Sequence, residues 1–171
     1  MVSRTNSETG QILSFANFGD DMDDVYTLTA KSMDKAGNET TQSITFSVNR
    51  HGSTYAINKD TKKMLDKGYT KEPVSVIIEE TNVDTLEFIE LSYSKDGKIV
   101  KLTEGKDYTV KAEGGEGQWK KYTYTILASC FAEEGKYNIN ITSVDRAQNE
   151  SNNKVQSFDV EFVVDKTAPT L

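Results

Sequence analysis

The sequence predicts an all-β fold, an antiparallel β-sandwich, and three observations lead to this prediction. Apolar and polar residues alternate with a period of two in most segments that are rich in Val, Ile, Tyr, Phe and Thr. Turn-forming residues separate these segments at short intervals. The stretch 26–39 recurs with the same pattern at 137–150. A structural unit is therefore repeated along the chain.

Predicted strands cover most of the sequence. In chain order they are 12–15, 25–30, 44–48, 54–57, 74–79, 89–94, 99–102, 108–112, 122–128, 137–142 and 158–164. Asp96-Gly97 predicts a type I′ hairpin turn, because both residues tolerate positive φ angles. The Gly-rich segment 113–117 predicts a second reversal. Only residues 61–67, with Met64 and Leu65, favour a short helix.

The repeat also predicts the domain boundaries. Tyr26 corresponds to Tyr137, a spacing of 111 residues (137 − 26), which is close to the roughly 100 residues of one immunoglobulin-like sandwich. Residues 1–49 are then the C-terminal part of a first repeat, residues 50–165 a complete one, and residues 166–171 the start of a linker. Three strands alone expose sheet edges and an apolar face, so we expect 1–49 to be marginal unless it packs on a neighbour or another chain.

Composition narrows the function classes. The chain has 171 residues and a net charge of −7, which opposes binding to nucleic acid. No apolar run is long enough for a transmembrane helix, so direct membrane insertion is not expected. The first residues lack the apolar stretch of a secretory signal, which favours an internal fragment. One Cys and one His cannot form a disulfide or a clustered metal site, and no cofactor is predicted.

For the candidate catalytic residues, a structural role is better supported by the sequence than a catalytic one. Cys130 and His51 could pair as thiol and imidazole, but Cys130 follows a strand-like run in which a buried structural cysteine is the expectation. Glu79 and Glu80 could serve glycoside hydrolysis, yet neighbours on a strand point to opposite faces. One of them is expected at the rim and the other in a structural role. We predict no enzyme activity and no catalytic residues.

Calcium is an alternative at the acidic segments. Asp20, Asp21, Asp23 and Asp24, or Asp165 at the end of the complete repeat, could supply the oxygen ligands that calcium takes. The Asp-x-Asp-x-Asp-Gly spacing with a distant Glu is missing. The sequence therefore favours solvated turns over a metal site.

Two motifs carry a family resemblance. Asp34-Lys35-Ala36-Gly37-Asn38, repeated as Asp145-Arg146-Ala147-Gln148-Asn149, resembles the turn between the last two strands of bacterial immunoglobulin-like repeats. The ending Asp165-Lys166-Thr167-Ala168-Pro169 is similar to the linker that opens the next repeat in Gram-positive multidomain surface proteins.

The resemblance implies a noncatalytic structural or adhesion module that is extracellular and either wall-associated or secreted. Its implied partners are neighbouring immunoglobulin-like repeats and a host protein or glycan. Some such surface domains carry a Lys–Asn isopeptide crosslink beside a buried acid, which the sequence leaves open.

Tyr26 and Tyr137 are predicted to be tyrosine corners, with the ring in the core and the hydroxyl bonded to the preceding loop. Leu28 and Ile139 stand where antibody-type domains have their second cysteine, so apolar packing must replace the disulfide.

Trp119 is the candidate ligand contact. Tyr122 and Tyr124 share one strand face and are predicted to be core, whereas Trp119 could stack on a sugar ring. The alternative function is therefore a carbohydrate-binding accessory module of a surface glycoside-active enzyme. A hydrolase domain is the third possibility.

Overall fold

The computed structural model describes residues 3–5, 12–14, 22–155 and 158–170. The strands in these ranges are β1 (Ser3–Thr5), β2 (Ile12–Ser14), β3 (Asp24–Met33), β4 (Glu39–Val48), β5 (Thr54–Ile57), β6 (Tyr69–Thr70), β7 (Val76–Asn82), β8 (Leu86–Lys95), β9 (Lys98–Lys101), β10 (Tyr108–Glu113), β11 (Lys120–Ile126), β12 (Gly135–Asp145), β13 (Glu150–Asn152) and β14 (Val160–Val164). Helix α1 spans Lys59–Lys67, and a 3-10 helix spans Ala128–Phe131.

Two sheets form the main body. The first has the strand order β10-β11-β7-β5, and every neighbouring pair is antiparallel. The second has the order β6-β14-β12-β8-β9, with β13 also paired to β12. Within these two sheets, only the short pairing of β6 with β14 is parallel. The all-β, antiparallel prediction is confirmed.

One apolar core lies between these sheets. Burial alternates along β7, β11, β12 and β14, so each strand turns every second side chain inward. Val76, Ile78 and Tyr124 enter from the first sheet, and Ile139 and Phe162 enter from the second. Tyr137 stacks on Phe162 at a centroid distance of 5.6 Å. Tyr122 and Tyr124 are buried in this core, as predicted.

Strands β3 and β4 form a separate antiparallel hairpin that copies β12 and β14. Tyr26 pairs with Phe46, and Tyr137 pairs with Phe162. The copies differ in burial: Ile44 is 62% exposed and Phe46 is 36% exposed, whereas their counterparts Val160 and Phe162 are 0% and 1% exposed. The exposed apolar face that the sequence predicts for residues 1–49 is therefore present on this hairpin.

Local signals explain the helix and one hairpin turn. The Asn58 side chain accepts a bond from Thr61 N at the N-terminus of α1, and Gly68 ends the helix with φ of 73°. The helix begins two residues before the predicted range of 61–67. Asp96 and Gly97 have φ angles of 49° and 83°, which confirms the predicted type I′ geometry between β8 and β9.

The predicted strand 122–128 is wrong at its C-terminal end. β11 stops at Ile126, and the chain then forms the 3-10 helix that contains Cys130. Cys130 is therefore half-buried on a helical turn, where its thiol donates to Asp107 O at 3.4 Å. Periodicity missed β1, β6 and β13 because strands of two or three residues are too short to show a pattern. Residue 15 of the first predicted strand, Asp20 and Asp21 lie outside the described residues.

Candidate functional site

The tyrosine corners have the same geometry in both copies. Tyr26 donates its hydroxyl bond to Met22 O at 2.7 Å, and Tyr137 donates to Glu133 O at 2.9 Å. Each bond reaches back four residues to the loop that precedes the strand. Tyr137 fits the prediction in full, because its ring is buried in the core, whereas Tyr26 makes the predicted hydroxyl bond with a half-buried ring outside that core. The duplication therefore preserves side-chain hydrogen bonds as well as strand pairing.

The Asp-x-Ala-x-Asn turns also correspond. Asp34 accepts bonds from Asn38 N at 2.9 Å and Asn38 Nδ2 at 2.8 Å. Asp145 accepts the same two bonds from Asn149, at 2.9 and 3.1 Å. Hydrogen bonds led by that from the Asn38 side chain lower the pKa of Asp34 below its ordinary value. Each aspartate thus fixes the turn that joins its two strands.

Just before the first strand of each copy, a carboxylate binds the backbone of the segment that follows the second strand. Asp23 accepts from Arg50 N at 2.8 Å and from His51 N at 3.1 Å. Partial burial opposes ionisation of Asp23, but these bonds and the His51 ring outweigh it and lower the pKa of Asp23. Glu134 holds Lys166 N at 2.7 Å and Thr167 Oγ1 at 2.9 Å, and these contacts lower its pKa. The likeness of the two copies extends into the segment after each one.

The segment that leaves the hairpin enters a polar cluster on the sandwich. Asn49 Nδ2 lies 2.8 Å from Asp145 Oδ2 and 2.9 Å from Asn82 Oδ1. Asn149 Nδ2 donates to Asn49 O at 3.1 Å, and Asn82 Nδ2 donates to Ser53 Oγ at 2.9 Å. Asp145 and Asn82 are almost completely buried. We call Asn49, Ser53, Asn82, Asp145 and Asn149 the junction cluster.

Two further contacts join the hairpin to the sandwich. Ser47 Oγ donates to Asp84 Oδ2 at 3.0 Å, and Arg146 Nη2 lies 3.1 Å from the same oxygen. Trp119 Nε1 donates to Asp24 Oδ1 at 2.7 Å. This bond is the main reason that the pKa of Asp24 lies below its ordinary value. The predicted ligand residue Trp119 is 43% exposed, and its one polar atom contacts the hairpin.

A cleft of about 540 Å³ opens beside these contacts. Thr45 and Phe46 line it from the hairpin, and Tyr122, Lys120 and Arg146 line it from the sandwich. The Gly-rich loop after β10 forms its rim, as expected for the reversal at 113–117. Aromatic, cationic and backbone polar groups therefore converge where the two units meet.

A buried carboxylate occupies the centre of the sandwich. Glu80 is 0% exposed and accepts from Tyr124 Oη at 2.6 Å, and also from Ser143 Oγ. Burial, and then the charge of Glu80, raise the pKa of Tyr124 and of Tyr55. Glu79 is partly exposed and forms a salt bridge with Lys121 at 2.9 Å. The prediction that one of Glu79 and Glu80 lies at the rim and the other has a structural role is therefore confirmed. The contacts of Glu80 are hydroxyl groups rather than the Lys and Asn of an isopeptide site.

The other candidate residues bind separate neighbours. His51 Nδ1 lies 3.1 Å from Asp23, whereas Cys130 contacts the backbone of Asp107. Asp165 accepts from Thr167 N at 3.1 Å. In the part of the chain that the structure describes, no three His, Cys, Asp or Glu residues are arranged to hold a metal ion.

Sequence reasoning found the Asp145 turn and Trp119 but missed Asn49, Asn82 and Asp84. These three are short polar residues at strand ends, where turn formation is the ordinary explanation. The sequence feature that could have identified them is the position of residues 49–53, which join the two copies, so that polar residues there face a neighbouring unit.

None of the described helices has the length and apolar character to span a membrane. Comparison with family models, curated proteins and solved structures found no match for this chain.

Proposed function

We propose that this chain is a noncatalytic immunoglobulin-like structural or adhesion segment of a bacterial cell-surface or secreted repeat protein. Residues 50–165 are one complete module, residues 1–49 hold the closing strands of a preceding module, and residues 166–171 begin the next linker. Neighbouring modules are its direct partners, and the assembled string presents a binding surface to a host protein or glycan outside the cell.

Strand order supports the immunoglobulin-like assignment. In an immunoglobulin constant-type sandwich, one sheet contains strands A, B, E and D, and the other contains C, F and G. The order β5-β7-β11-β10 matches the first, and β14-β12-β8 matches the second, with β9 as an added edge strand. The tyrosine corner at Tyr137 stands at the start of β12, where that fold has it.

The junction cluster is the observation that carries the spacer role. Asn49 is bonded to a buried aspartate and a buried asparagine of the next unit, so the linker is fixed in place at this point. Ser47 and Asp24 add contacts on both sides of it. A buried polar network whose members are bonded to one another is rigid, so a short linker held in this way limits bending between modules, which a projecting string of domains requires.

The test is a measurement of rigidity in the full chain. We expect ¹⁵N relaxation to show β3 and β4 tumbling together with residues 50–165. Asn49→Asp replaces the amide donor by a carboxylate beside Asp145, so the hairpin should reorient independently while the sandwich keeps its structure.

Asn58→Asp is the matched control, because aspartate caps a helix as well as asparagine does and this site lies at α1. Independent tumbling of the hairpin in the unmodified chain would contradict the spacer role.

The cleft favours carbohydrate binding as a second candidate function. Its volume of about 540 Å³ falls within the range of small-molecule sites, and such sites occur preferentially between domains. The test is a glycan array probed with the unmodified chain, with Trp119→Ala for the predicted sugar contact beside the cleft, and with Lys120→Ala for a residue that lines it. Specific binding that is lost in Lys120→Ala supports this candidate, and an array without signal removes it.

A further inference from the structure

The junction cluster presents hydrogen-bond acceptors to the first side chain of the incoming linker, Asn49. The amide of this residue makes two bonds, from Nδ2 to Asp145 Oδ2 at 2.8 Å and to Asn82 Oδ1 at 2.9 Å. A carboxylate can only accept, so the group that faces Asp145 must be a donor. Asn82 is held in the accepting orientation, because its Oδ1 also accepts from Asp84 N at 2.8 Å and its Nδ2 donates to Ser53 Oγ at 2.9 Å.

Burial makes this requirement strict. Asp145 is 0% exposed and Asn82 is 1% exposed, so a bond that the linker fails to make is not replaced by one to bulk water. Arg146 is bound to Asp84, through Nη2 at 3.1 Å and Nε at 3.2 Å. A carboxylate in place of the Asn49 amide would lose both bonds and bring a second negative charge to Asp145 where screening is weak. The cluster therefore favours an amide and opposes a carboxylate, and specificity needs both effects.

The second linker of the chain begins with that carboxylate. Val48 and Val164 are the last residues of β4 and β14, so Asp165 follows β14 as Asn49 follows β4. A carboxylate just before each copy binds the backbone of the linker that follows it. The two linkers therefore leave their strands in the same way but differ in charge at their first residue.

We infer that the side chain at the first linker position determines which module can dock behind it. The sandwich of residues 50–165 accepts a linker that begins with an amide donor, as Asn49 does. It opposes one that begins with a carboxylate, so a copy of this sandwich does not dock behind Asp165. A unit that docks there carries a hydrogen-bond donor where this one has Asp145. The inference rests on the proposed function, because it assumes that linkers join stacked modules. It goes further by naming the residue that sets their order.

The test places the second linker sequence in front of the sandwich, within the full chain. The triple variant, Asn49→Asp with Arg50→Lys and His51→Thr, gives residues 49–51 the sequence of residues 165–167. The matched control carries only Arg50→Lys and His51→Thr, so the two chains differ at position 49 alone. We expect ¹⁵N relaxation to show β3 and β4 tumbling with residues 50–165 in the control. In the triple variant they should tumble independently, because the linker has lost its donor.

A second measurement separates the effect of charge from a loss of shape. At about pH 4.5, two carboxylates at hydrogen-bond distance share a proton, which makes one of them a donor. Lowering the pH of the triple variant from neutral to this value should therefore restore common tumbling. The bond from Trp119 holds the pKa of Asp24 below 3.8, so this second contact between hairpin and sandwich persists there. The change His51→Thr, present in both chains, removes the single imidazole of the protein.

The control also accounts for other charged groups at the joint. Asp84 and Arg146 face the linker through Ser47, and Asp23 binds the linker backbone. These groups are the same in both chains, as is the residue at position 50. Tumbling of the control should therefore not change between the two pH values.

The outcomes separate this inference from the spacer role. A triple variant that tumbles as one body at neutral pH overturns the inference. A control that already tumbles in two parts does so as well, because residues 50 and 51 would then be the selective ones. A triple variant that stays loose at acidic pH shows that charge is not the cause, and this too overturns the inference. Two-part tumbling of the unmodified chain is the distinct result that contradicts the spacer role and the inference together.

Discussion

The indole nitrogen of Trp119 lies 2.7 Å from Oδ1 of Asp24, a residue 95 positions earlier in the sequence. Trp119 precedes β11 of the sandwich, whereas Asp24 begins β3 of the hairpin. The bond therefore spans the two units at a point separate from the junction cluster. It gives the single tryptophan of the chain a role in holding the hairpin against the sandwich.

This contact predicts a pH dependence. The bond from Trp119 lowers the folded-state pKa of Asp24 below its ordinary value of 3.8. A lowered carboxyl pKa favours the bonded state above pH 3.8, and this contribution is lost as the pH falls through the folded-state value. We expect the indole N–H resonance of Trp119 to shift in that acidic range. Asp24→Asn is the control and should abolish the step, and a step that persists in this variant would count against the assignment.

The hydrogen bond between Glu80 and Tyr124 predicts that substitutions of these two residues have non-additive effects on the free energy of unfolding. Glu80→Leu removes the acceptor of buried hydroxyls, so it should lower the free energy of unfolding by about 2–4 kcal/mol. Adding Tyr124→Phe removes one of the stranded donors and should recover about 1 kcal/mol. Urea denaturation of the two single variants and the double variant measures the coupling. Simple additivity would mean that the two side chains do not interact.

Gln148 predicts a stabilising substitution. It has φ of 66°, in the left-handed region, and the first copy has Gly37 at the corresponding position with φ of 89°. A side chain costs about 1 kcal/mol or more in that conformation. Gln148→Gly should therefore raise the free energy of unfolding by about 1 kcal/mol, despite losing an exposed bond to Glu87. The reverse change, Gly37→Gln, should loosen only the hairpin turn, as hydrogen exchange would show. A Gln148→Gly chain no more stable than the parent would argue against strain.

The same Tyr→Phe substitution is expected to affect stability differently at the two tyrosine corners. Tyr137→Phe removes the bond to Glu133 O and should cost about 1 kcal/mol in the unfolding of residues 50–165. Tyr26→Phe removes the matching bond to Met22 O but lies outside that core. It should speed amide exchange in β3 and leave the thermal midpoint of the sandwich unchanged. Equal shifts of the midpoint would show that hairpin and sandwich unfold as one cooperative unit.

Much of this architecture could be predicted from local patterns. Alternation located most strands, Asp96-Gly97 specified a turn through its φ preferences, and the repeat placed Tyr26 and Tyr137 at equivalent corners. These features depend on neighbours within a few residues, so the sequence carries them directly. The end of β11 could not be read in this way, because the apolar run 126–131 continues through the 3-10 helix without a change of composition.

The sequence by itself determined the strand-rich fold, the tyrosine corners and the duplicated Asp-x-Ala-x-Asn turns, because each follows from side-chain alternation or short-range hydrogen bonding. Only the tertiary structure decided that Asn49 contacts Asp145, 96 residues away, and that Trp119 contacts Asp24. It also decided that Phe162 is buried while Phe46 is not. Both phenylalanines lie in the same local sequence pattern. Their burial depends on whether a second sheet packs against their strand, and that sheet comes from distant parts of the sequence.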